Sequence, residues 1–319
     1  MLRTADANIF HRQHLFLNLF QENATVILAI TGLSANIKNM DAHLAKQVLA
    51  GDVKAASRLM RDIDDDVPGA LIHLKHLYPH TGHAHIIGLT GAPGSGKSTL
   101  LDGLIQRLRK QGKTVGVLAI DPTSPYSGGA ILGDRIRMQR HSNDIDVFIK
   151  SIATRGHVGG LSQSAYGLTT VMDAMGKDVI LIETVGVGQD EVDITSLAHT
   201  TVVVITADMG DGIQAVKSGI LETADIFALN KIDLQGSEAT HDDIKMMLSM
   251  RRDKTHAWSP QIVRTMALGG QGIDRLLLQV QKHWTCLCEA GLENFRHQKV
   301  RTELRLLFKR LLFCLLYTS

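Results

Sequence analysis

The chain has 319 residues, 44% of them hydrophobic, and 34 Lys+Arg against 32 Asp+Glu leave a formal charge of +2. That is enough apolar material for a sizeable core, and without a basic stripe interleaved with aromatics nucleic acid is not an expected partner. Cys286, Cys288 and Cys314 form neither a C-x-x-C pair nor a ligand quartet, no run has the roughly 18 apolar residues of a membrane helix, and the first residues lack the ordered regions of an export signal, so a cytoplasmic chain with no membrane partner is expected.

Residues 1–39 show no sustained helical or alternating period. From Asp41, a candidate N-cap, the apolar positions Leu44, Val48, Leu49, Val53, Ala56 and Leu59 are spaced as the buried face of helices interrupted at Gly51-Asp52. The run Asp64 to Gly69 breaks this pattern and Ala70 to Leu77 reads as a further helix, giving a helical region over residues 40–84. His73, His76, His80, His83 and His85 are close enough to raise a metal site, but Pro79 and Gly82 mark a turn, and a solvated linker is the expected structure.

From Ile86 onward strand and helix patterns alternate. Strands are expected at Ile86–Thr90, Val115–Ile120, Val147–Ser151, Val179–Glu183, Thr201–Thr206, Asp225–Asn230 and near Ile262–Met266, with helices such as Thr99–Lys110, Leu161–Met175 and Gly212–Glu222 between them. Val/Ile-rich strands apolar on both faces belong to a parallel sheet covered by helices on each side. The expected fold class is α/β: a doubly wound, mostly parallel sheet over residues 85–272 with its ligand at the carboxyl ends of the strands.

The stretch Gly91-Ala92-Pro93-Gly94-Ser95-Gly96-Lys97-Ser98 fits G-x-x-x-x-G-K-[ST] after an apolar strand. Glycines let successive backbone N–H groups approach phosphate oxygens, Lys97 supplies charge to the β and γ phosphates, Ser98 offers a hydroxyl to Mg²⁺, and Thr99 opens a helix whose positive end faces the anion. Glu183 ends a buried strand in a carboxylate able to hold Mg²⁺ through water or simply to sit at an exposed strand end, and the N–H of Gly186 can reach a γ-phosphate. Asn230-Lys231-Ile232-Asp233 matches N-K-x-D, in which the aspartate accepts from the edge donors of guanine, the lysine stem covers the ring and Asn230 ties the turn to the phosphate loop. Adenine would leave those acceptors unpaired, so GTP and GDP are preferred. The last base contact is expected at Met266-Ala267, the alanine N–H meeting the guanine oxygen.

With these residues in hand, the chain resembles the MeaB/ArgK/MMAA family of P-loop GTPases from about Asp41 to Arg301. Carrying the resemblance besides the phosphate loop are Asp121-Pro122-Thr123-Ser124-Pro125, Ile131-Leu132-Gly133-Asp134, Ala153-Thr154-Arg155-Gly156-His157, Glu183 to Gln189, Gly210-Asp211 with Gln214 and Lys217, and Asn230 to Asp233. The resemblance implies a GTP-hydrolysing chaperone of an adenosylcobalamin-dependent acyl-CoA mutase, chiefly methylmalonyl-CoA mutase, whose cycle gates cofactor loading and protects the mutase. It also implies that Asp121, Asp134 and Glu183 surround Mg²⁺ with Ser98, and that residues 121–134, 183–189 and 208–217 are switches. Within the third, Lys217 is either a neutraliser of charge on the transferring phosphoryl group or an exposed helix lysine.

Ile273, Leu276, Leu277, Val280 and Trp284 continue a helical pattern into a C-terminal extension over residues 273–312, which by the same resemblance forms a homodimer arm; residues 313–319 are atypical of it. Two other functions fit a nucleotide domain of this kind: a GTPase that delivers a metal ion to another enzyme, and an ATPase or kinase linked to amino-acid transport.

Overall fold

The computed structural model describes residues 43–67, 69–121, 139–141, 143–153, 163–184, 190–207, 224–250 and 258–292. Asp41, Asp134, Gly186, Lys217 and the helix expected over Gly212–Glu222 lie outside them.

Among the described residues seven parallel strands form one sheet: β1 (His85–Thr90), β2 (Val115–Asp121), β3 (Val147–Ala153), β4 (Val179–Thr184), β5 (Thr200–Thr206), β6 (Ile226–Asn230) and β7 (Gln261–Arg264), in the order β3-β2-β4-β1-β5-β6-β7. Every residue of β1, β4, β5 and β6 is buried, which is why their sequences are continuous apolar runs rather than alternations. Successive side chains still part to opposite faces. Ile86, Ile180 and Ile182 join one core, whereas Ile87, Leu89 and Leu181 join the other.

The first core is covered by α1 (His43–Leu49), α2 (Val53–Asp64), α3 (Ala70–Leu77), α5 (Gln163–Ala174) and α6 (Asp190–Leu197); Leu59, Met60, Leu77, Val171 and Leu197 fill it. The second is covered by α4 (Lys97–Lys110) and by helix α8, residues 273–292, through Leu100, Leu104, Leu276 and Val280. A further helix, α7 (Ser237–Met250), packs Ile244 on Phe227 and Val203. The N-terminal helices are seated by specific polar contacts. Asp52 caps α2 by accepting from the N–H of Lys54 at 2.8 Å and of Ala55 at 3.1 Å. The buried carboxylate of Asp173, on α5, accepts from the N–H groups of Gly82, His83 and Ala84.

Residues 78–83 form the solvent-facing turn expected around Pro79 and Gly82, and those three bonds anchor its end to α5. His73 and His76 lie in α3, and His85 is a buried residue of β1. Among the described residues no group of three or more metal-ligating side chains assembles there or elsewhere. The strand order puts β4 between β1 and β2 and carries the chain to the other side of β1 at β5. The carboxyl end of β1 is therefore the point where the winding reverses, the place at which such sheets bind ligands.

Candidate functional site

Residues 91–96 leave β1 at this reversal and enter α4. Two glycines are required by the close fit of that loop to its neighbours. Gly91 has φ of 138°, and a side chain there would strike the carbonyl oxygen of Val204 on β5; Gly96 has φ of 92°, and a side chain there would strike the amide nitrogen of Asn230. Ala92, Pro93 and Gly94 form the outward part of the loop, while Ser95 is buried beneath it. The ammonium of Lys97 donates to the carbonyl oxygens of Gly91, at 2.8 Å, and Ala92, at 3.0 Å, so the cation is held at the loop mouth within reach of an incoming phosphate.

Ser98 and Thr99 occupy the first turn of α4. The hydroxyl of Ser98 donates to Oε1 of Glu183 at 2.6 Å. Register explains the meeting of residues so distant in sequence: Glu183 pairs with Leu89 of β1 and Ala119 of β2, so its carboxylate stands at the strand ends beside the phosphate loop. Asp121 ends β2 two positions beyond Ala119, paired with Ala153, and its backbone reaches the same edge of the sheet. Hydroxyl and carboxylate oxygens at this spacing are a hard donor set, which fits Mg²⁺.

Asn230 ends β6 and braces three loops. Its amide nitrogen donates to the carbonyl of Ser95 at 2.8 Å, and its oxygen accepts from the hydroxyl of Thr265 at 3.2 Å and from the N–H of Ala267 at 3.0 Å. Lys231 follows with φ of 55°, turning the chain so that Asp233 stands exposed at the mouth of the site. The Ala267 N–H differs from the sequence expectation, since it is engaged by Asn230 rather than directed only at a base oxygen. A guanine oxygen would have to share or replace that acceptor. Met266 and Gln271 exchange both backbone hydrogen bonds, at 3.0 and 3.2 Å, so the backbone sets this turn without help from the Met266 side chain.

Two residues of this region have no motif to announce them. Leu268, beside Ala267, is 95% exposed on a turn fixed by these bonds and by the Arg107 guanidinium, which donates to the Gly270 carbonyl. Asp102, one helical turn beyond Ser98, is buried, and its carboxylate receives His141 Nε2 at 2.8 Å, Gln106 at 3.1 Å and an ion pair from Arg140 at 3.2 Å. The chain that departs at Asp121 is thus tied back to the phosphate-loop helix at residues 140–141. A buried carboxylate costs stability unless paired, and here the pairing joins two segments of the site.

Residues 62–315 match a family described as Methylmalonyl Co-A mutase-associated GTPase MeaB. A protein of Pyrococcus horikoshii described as a GTPase is 45% identical over 82% of this chain and 84% of its own length. The GTPase ArgK of Escherichia coli is 36% identical over 71% of this chain and 70% of its own. Among solved structures, one described as LAO/AO transport system kinase superposes with a TM-score of 0.71 and 25% identity, covering 87% of this chain and 86% of that one.

Proposed function

Because the chain belongs to the MeaB family of P-loop GTPases, we propose that it is a chaperone whose GTP hydrolysis gates cofactor loading into, and protects, an adenosylcobalamin-dependent acyl-CoA mutase of the methylmalonyl-CoA mutase type. The GTPase activity is that of the family; the mutase partner is the further step, supported by the family's association with methylmalonyl-CoA mutase.

The observation that carries the guanine-nucleotide reading is the triple bond set of Asn230, which joins the loop that takes phosphates to the two turns that take a base. In this reading Gly91 to Gly96 wrap the phosphates with backbone N–H groups, and Lys97 exchanges a loop carbonyl for a β- or γ-phosphate oxygen. Asp233 accepts from the guanine edge, the stem of Lys231 covers one face of the ring, and Leu268 is close by in the second turn. Ser98 and Glu183 would hold Mg²⁺, with Asp121 and Asp134 as acidic neighbours. The ion supplies charge neutralisation on the β- and γ-phosphate oxygens. Gly186 contacts the γ-phosphate, and Lys217 adds charge once the partner has ordered its segment. The chain acts in the cytoplasm as a homodimer through the C-terminal extension.

The deciding experiment is hydrolysis of GTP and of ATP by the purified protein, with and without a cobalamin-dependent acyl-CoA mutase from the same source. A slow, GTP-selective rate that rises with the mutase supports the chaperone. Equal use of ATP and GTP would sink the guanine assignment and favour the transport-kinase function, and GTP selectivity without any mutase response would remove the partner.

A further inference from the structure

At the end of the sheet opposite the nucleotide site, a continuous polar chain runs from the strands into α8. His283, on α8, faces Asp225 at the entry to β6, Nε2 lying 3.4 Å from Oδ1, and its Nδ1 is 2.9 Å from the hydroxyl of Thr200, the first residue of β5. The same hydroxyl is 2.8 Å from Nε2 of His85, the first residue of β1. Thr200 is fully buried, and His85 and His283 nearly so.

The facing carboxylate favours one assignment of the protons. With a carboxylate facing Nε2 of His283, that nitrogen carries the hydrogen and Nδ1 accepts from the Thr200 O–H; the threonine oxygen then accepts from Nε2–H of His85. Thr200 and His283 each act once as donor and once as acceptor, and both imidazoles are neutral. Trp284 of α8 stacks on His85, ring centroids 4.4 Å apart, and leans on His199 at 4.9 Å, while Trp258 leans on His283 at 4.9 Å and donates its indole N–H to the Asp225 carbonyl. The titratable groups meeting here are thus His85 from β1, His199 from the run into β5, Asp225 from the run into β6 and His283 from α8. His199 is occupied by the Ile86 N–H at its Nδ1, and Asp225 gives its other oxygen to the Thr201 N–H.

We propose that Asp225, His283, Thr200 and His85 form an acid-released latch holding the helix of residues 273–292 against the amino-terminal edge of the sheet. Adding a proton to His283 places an N–H where the Thr200 hydroxyl must donate, so the His85–Thr200 hydrogen bond must reverse or a buried O–H is left without an acceptor, and a cation stands in a poorly hydrated site. Asp225 offsets little of this, because 3.4 Å is long and the carboxylate is shared with Thr201. Burial accordingly pushes His283 down to about 4, and burial together with the neighbouring His283 pushes His85 down to about 3. A helix that has swung away returns both rings to water and to their ordinary value near 6.5. Below that value the undocked state gains a factor of about ten per pH unit for each histidine released.

The chain's two tryptophans, Trp258 and Trp284, are both in this cluster, so fluorescence excited selectively at tryptophan, away from the four tyrosines, reports on it. The test follows fluorescence of the full chain from pH 7.5 to 4.5 alongside peptide-level hydrogen exchange corrected for intrinsic rates. A local transition is expected below pH 6.5, with protection lost over residues 273–292 before β1, β5 and β6 open. His283→Gln, which can donate and accept but not titrate, should about halve the steepness of the pH dependence, leaving the His85 contribution, and Thr200→Val should speed exchange in the helix already at pH 7.5. Loss of protection in helix and strands together, or an unchanged pH profile in His283→Gln, would overturn the latch.

Discussion

The side-chain amide of Asn230 donates to the backbone carbonyl of Ser95 at 2.8 Å, so the residue that opens the base-reading turn also holds the phosphate loop in shape. Removing it leaves the Ser95 carbonyl, the Thr265 hydroxyl and the Ala267 N–H without this partner. At about 1 kcal/mol for each buried bond lost, Asn230→Ala should weaken GTP and GDP about 100-fold alike, measured by calorimetric titration.

Glu183 and Ser98 should act on the metal rather than on the base. Glu183→Gln keeps the shape and an acceptor for Ser98 but loses the charge, so the Mg²⁺ concentration needed for half-maximal hydrolysis should rise about tenfold or more. Nucleotide affinity measured in a chelator should be little changed. Equal losses with and without Mg²⁺ would place Glu183 in loop architecture instead.

Asp233 is exposed and supports no part of the core, so Asp233→Asn should leave the melting temperature within about 1 °C while inverting base preference. Binding of GTP should fall and that of xanthosine triphosphate rise, because the amide can donate where the carboxylate accepted. Competition against a fluorescent guanine nucleotide reads both changes.

Lys217→Ala separates basal from stimulated turnover. Nucleotide affinity and the rate of the chain alone should be unchanged, whereas stimulation by the mutase should be lost, a drop of about 100-fold or more if the ammonium neutralises transition-state charge. A fully stimulated variant would remove Lys217 from the mechanism.

Acid should destabilise the fold through His85 and His283. Both have folded values below their unfolded value near 6.5, about 3 and about 4, so the unfolded chain binds more protons and stability falls as pH drops below 6.5. At pH 5.5 the two together should cost about 2 to 3 kcal/mol relative to pH 7.5, seen as a lower urea midpoint that His283→Gln partly restores.

The strands were legible because each is a run of consecutive apolar residues whose burial on both faces leaves a local signature; β1 and β4 lie within one residue of their expected limits. Helix α3 was equally legible, since Ala70 to Leu77 lies between a Pro-Gly break and the turn at Pro79. His85 was not. In sequence it reads with its neighbours as linker, yet its partners Thr200 and His283 are brought to it only by the strand order and by the return of α8. Asp102 carries no motif for the same reason: its partner His141 follows a long excursion from β2.

Taken alone, the sequence determined the α/β class, the phosphate loop and the guanine-type turn, because steric needs of glycine, lysine and aspartate at fixed short spacing are written in adjacent residues. Tertiary structure decided which of these meet: that Ser98 reaches Glu183, that one asparagine braces three loops, that the Ala267 N–H is already engaged, and that two histidines at the far end share one threonine hydroxyl. Such contacts depend on strand order and register, which set the distance between residues far apart in the chain and leave no local pattern to read.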